Sequence, residues 1–96
     1  MASKANADLG ATIDNVIGCL SSAPGVERIL MATDEYAIHV WSIVNNMSDE
    51  GKHRIYACEG SLLDRFPHVP FDFHVVDRRD APIDDLIRGA RTVFAN

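Results

Sequence analysis

The side chains best suited to chemistry in this 96-residue chain are His39, Asp72 and His74. Imidazole and carboxylate groups suit zinc and similar ions, and they can also work as an acid and base pair. Asp72 and His74 stand two apart in the alternating run FDFHVVD, so on a strand they share a face. A third group from His39 depends on which strands are neighbours and in what register. His53 and His68 have polar surroundings and read as surface or loop residues.

Glu59 is the other candidate. At about 100° per residue, Ile55, Cys58, Leu62, Leu63 and Phe66 form the apolar stripe of a predicted helix, and Glu59 falls inside it. A carboxylate buried there must find hydrogen-bond donors or go neutral with a raised pKa, which would suit a general acid or base. The structural alternative is a side chain that reaches solvent, or one that bonds a hydroxyl such as Tyr36 or Ser42.

Positioning these groups takes three helices and four strands. Leu9, Ile13, Val16, Ile17 and Leu20 recur at helical spacing and predict an amphipathic helix over residues 8–21, ended by Ser21, Ser22, Pro24 and Gly25. Residues 26–33 and 36–44 are rich in branched and aromatic side chains and read as an antiparallel hairpin, although Asp34 and Glu35 lack the usual turn glycine. Ser48 with Asp49 and Glu50 caps a second helix that runs to about Phe66 before Pro67. Residues 71–76 alternate as a third strand, Pro82 to Gly89 frames a short helix, and residues 91–94 form a last strand.

The order is therefore αββαβαβ, an α+β two-layer sandwich with helices on one face of a mixed or antiparallel sheet. Residues 1–7 are read as a disordered leader and residues 8–96 as one domain.

Strand parity then assigns a surface. If Phe71, Phe73 and Val75 face the helices, so do Tyr36, Ile38, Val40, Ser42 and Val44. Their alternates, Ala37, His39, Trp41 and Ile43 with Asp72, His74 and Val76, face away and have no helix to cover them. Three uses of that face stay open: a partly solvated sheet surface, a contact with another protein or a second copy centred on Trp41, or a convergence of His39, Asp72 and His74 on a ligand. Imidazoles beside a carboxylate at such an interface would also be sensitive to pH between about 5 and 7.

Composition narrows the class. A formal charge of -5 and a pI near 5.1 oppose binding to phosphate backbones or to an anionic membrane. Arg78 and Arg79, the densest basic cluster, are flanked by Asp77 and Asp80, so their field largely cancels. No apolar run approaches the roughly 18 residues of a membrane span, and the first residues carry no apolar signal core, so a cytoplasmic protein is expected. Cys19 and Cys58 lack CxxC spacing and read as buried free thiols.

The closing stretch, FDFHVVD followed by APIDDLIRGARTVF, resembles the tail of minimal nucleotidyltransferase domains over the last third of the chain. That family's catalytic mark is a Gly-Ser pair opening a helix, with paired acids on the next strand that hold magnesium. Neither is present: residues 36–44 carry His39 and Trp41 but no Asp-x-Asp, and Gly60-Ser61 sits within a predicted helix. The chain also resembles small uncharacterised bacterial α+β domains, which implies no activity.

Walker A, G-x-G-x-x-G, G-x-S-x-G, H-E-x-x-H and EF-hand patterns are all absent. The expectation is a noncatalytic binding or self-association module without a cofactor. Its partner would be a second copy or another protein, and its face would be His39, Trp41, Asp72 and His74. The alternative is a small enzyme or a metal- or ligand-binding domain using Glu59 or His39, Asp72 and His74.

Overall fold

The computed structural model describes residues 2–82 and 89–96. Helix α1 (Ala2–Ser21) leads to the hairpin strands β1 (Arg28–Thr33) and β2 (Ile38–Val44). Helix α2 (Asp49–Arg65) and strands β3 (Phe71–Asp77) and β4 (Arg91–Ala95) follow. This is the expected α+β sandwich with the elements in the expected order; the short helix between Pro82 and Gly89 lies outside the described residues. The helical backbone of α1 begins at Ala2, so residues 2–7, read above as a leader, carry its first turns. Ala2, Lys4, Ala5 and Ala7 are good helix formers, which accounts for the extension.

Local chemistry sets the element ends. Ser48 accepts a hydrogen bond from the Gly51 N–H at 3.1 Å, capping α2 ahead of Asp49 and Glu50. At the other end the Phe66 N–H donates to the Leu62 carbonyl, and Pro67 then prevents continuation. The hairpin closes without glycine because the Asp34 carboxylate accepts the N–H groups of Tyr36 (2.7 Å) and Ala37 (2.8 Å). Tyr36 consequently sits in the turn, 78% exposed, and does not face the helices as strand parity had implied.

The sheet order is β3-β2-β1-β4. β1 is antiparallel to both β2 and β4, while β2 and β3 are parallel, so the sheet is mixed. The α2 crossover between β2 and β3 makes that parallel pairing possible. Val16 and Leu20 of α1 and Ile55, Cys58 and Leu62 of α2 pack with Ile29, Met31, Val40 and Val44 in one core, fixing which sheet face the helices cover. Leu63, assigned to the α2 stripe above, is 47% exposed and lies outside it. No helix among the described residues is long and apolar enough to cross a membrane.

The parallel pair is tied at its far end. Asp77 accepts the N–H groups of Asn46 (2.8 Å), Met47 (3.1 Å) and Arg79 (3.1 Å), joining the loop after β2 to the end of β3. Those hydrogen bonds, the one from Asn46 first, hold its carboxyl below the usual range. They also hold Asn46 and Arg79 in left-handed backbone conformations, at φ 53° and 45°.

Two expectations are corrected. Cys19 and Cys58 are not free thiols but form a disulfide between α1 and α2, with Cα atoms 6.0 Å apart. Helix packing across the core brings together two positions separated by 39 residues, a proximity that spacing alone could not reveal. The second correction concerns the sheet face turned from the helices. Ile43 and Leu30, both on that face by parity, are 0% and 6% exposed. Arg78, just past β3, pairs with Glu27, just before β1, at 2.7 Å, and so bridges the β2 end that holds Ile43. The open surface shrinks to the other end of β2 and β3.

Candidate functional site

The parallel register sets His39 beside Asp72 and Trp41 beside His74. Paired positions of neighbouring strands share a face, so four side chains from two strands form one patch opposite the helical layer. His39 Nδ1 lies 3.0 Å from Asp72 Oδ2, and His74 Nε2 lies 3.2 Å from the same oxygen. The three rings are mutually adjacent and nearly parallel, with their centroids at the corners of a triangle. Trp41 and His74 have centroids 5.6 Å apart, His39 and Trp41 5.9 Å, and His39 and His74 6.4 Å, with interplanar angles of 19°, 25° and 16°. Such offset stacking favours a flat, ordered surface.

One member of the patch was missed in the sequence. Asp34, whose Oδ1 closes the hairpin turn, turns Oδ2 to His39 Nε2 at 2.8 Å. Its signal was an aspartate at the first turn position, which points to backbone capping rather than to a histidine five residues on. His39 is thus held at both ring nitrogens by carboxylates. The hydrogen bond to Asp34 raises its pKa most, and that to Asp72 adds to this against partial desolvation. Asp34 falls to about 2, chiefly through His39 and then through the two turn N–H groups. When protonated, the imidazolium donates to both acids.

Glu59 does not join this patch. It lies on α2, in the helical layer, and its Oε2 is buried without a hydrogen-bond partner among the described residues. Burial raises its pKa, partly offset by the His74 imidazole. Neither expected hydroxyl serves it: Tyr36 stands exposed in the turn, and Ser42 Oγ is itself buried without a partner among the described residues. Burial shifts Glu59 toward its neutral form, and among the described residues no hydrogen-bond donor meets its Oε2.

His53 and His68 lie apart from the cluster, on exposed positions of α2 and of the turn after it. Gly60 and Ser61 lie within α2, not at its start, so they cannot offer backbone N–H groups to a phosphate. A cleft of about 450 Å³ between Pro24 and Gly25 and the start of α2 contains none of the four patch residues. Comparison with known protein families, with curated proteins and with solved structures finds no match for this chain.

Proposed function

We propose that this chain is a noncatalytic binding module whose contact surface is the patch of His39, Trp41, Asp72 and His74, and that it meets a second copy of itself there. One observation carries the reading. Trp41 borders both imidazoles, which also border each other, and carboxylates fix those imidazoles in turn. An aromatic centre inside a polar rim is the usual anatomy of a binding hot spot, and rigid side chains lose little entropy on contact. The burial of Ile43 and Leu30 confines the contact to that ring system.

A catalytic role finds less support. Glu59 lies on α2, in the helical layer, away from the patch on the opposite sheet face. The acidic surface disfavours nucleic acid as a partner. The disulfide supports a compartment that keeps thiols oxidised over the cytoplasm expected from the sequence.

Light scattering on the wild type and on Trp41→Asp tests the contact. The wild type is expected to run as a dimer whose dissociation constant rises at least tenfold in the variant, the effect of losing about 1.4 kcal/mol or more at a hot spot. Monomers in both samples, with circular dichroism unchanged, would remove the self-association.

A further inference from the structure

We propose that this patch takes a divalent transition-metal ion of the zinc type, with His39 Nδ1, Asp72 Oδ2 and His74 Nε2 as its ligands. The inference rests on the reading of this face as the binding site and names a ligand for it. Each of the three residues offers a ligand atom within 4.8 Å of the other two. Two of the separations, 3.0 and 3.2 Å, already match the spacing of about 3.3 Å between donors around a tetrahedral zinc with bonds near 2.0 Å. Closing the remaining separation needs small rotations of part-exposed side chains on a fixed parallel ladder.

The surroundings fit the same ion. Asp34 Oδ2 lies 2.8 Å from His39 Nε2, where it can accept that ring N–H while Nδ1 is given to the metal. A carboxylate behind a ligating imidazole is the standard outer-shell arrangement, and it raises the basicity of the ligand. The two carboxylates of the cluster, Asp34 and Asp72, supply the counter-charge that a divalent cation needs. Two nitrogen donors favour zinc, cobalt, nickel or copper over magnesium and calcium, which prefer oxygen. Three protein ligands leave a position for water or for a donor from a partner.

Cobalt serves as the probe because its tetrahedral complexes absorb visible light. Protein stripped with a chelator and titrated with cobalt is expected to develop that absorption at one equivalent per chain, and zinc is expected to abolish it. His74→Ala, on the edge strand, and Asp72→Ala each remove a ligand and are expected to weaken binding at least tenfold. Asp34→Asn leaves the ligands in place and is expected to weaken it by about 10- to 100-fold, the range for outer-shell partners. His53→Ala, outside the cluster, leaves it unchanged. Absence of one-to-one binding by folded wild type, or equal affinity in His74→Ala and Asp72→Ala, overturns the metal site. Light scattering in chelator judges the contact separately: a dimer that binds no metal sinks this inference alone, and a monomer that binds one through these ligands upholds it.

Discussion

Reducing the Cys19–Cys58 disulfide is expected to lower the stability of the fold by about 4 kcal/mol, the chain-entropy value for a loop of this length. The crosslink spans 39 residues and closes a loop holding both hairpin strands and the first half of α2. Its loss frees the unfolded chain while the native contacts around Val16, Leu20 and Ile55 persist. A domain of this size has about 5–15 kcal/mol in all, so the loss is a large share of it. Urea unfolding with and without reductant, and of a variant with both cysteines changed to serine, measures it. The midpoint should drop in both cases. Equal midpoints would mean that the thiols are unpaired in solution.

Glu59→Leu is expected to stabilise the protein by about 1 kcal/mol at pH 8, because it replaces a half-buried carboxylate whose Oε2 has no partner with a side chain suited to the stripe of Ile55, Cys58 and Leu62. The gain depends on pH in a defined sense. Burial raises the pKa of Glu59 in the fold, so the native state holds its proton more tightly than the unfolded chain does. The contribution of Glu59 is then most favourable below its ordinary pKa of 4.5 and is lost as pH rises through the folded value. Stability curves of wild type and variant should converge in acid and separate above it. The carboxylates with depressed pKa values, Glu27, Asp34, Asp77 and Asp80, act in the opposite sense but cancel in the difference between the two proteins. A variant no more stable than wild type at pH 8 would place the Glu59 carboxylate in water.

The elements were legible where local pattern decides them. Ser48 with its two following acids marked the start of α2, and the alternation of FDFHVVD placed Asp72 and His74 on one face. What could not be read was set by distant neighbours. His39 meets Asp72 only because the α2 crossover lays β3 parallel to β2 in one register, and no local signal encodes that register. Asp34 was visible as a turn former but not as a partner of His39, since one carboxylate does both. The disulfide likewise depends on packing between α1 and α2. Tyr36 was misassigned by extending the period of β2 backward into a turn that Asp34 closes before the strand begins.

Backbone amide spectra recorded across a dilution series would test most directly that two copies meet at the stacked rings. Dilution is expected to shift the amides of β2 and β3 around residues 39–41 and 72–74, together with the Trp41 indole N–H, while α1 and α2 stay still. Spectra that do not change with concentration, or changes confined to the helical layer, would contradict it.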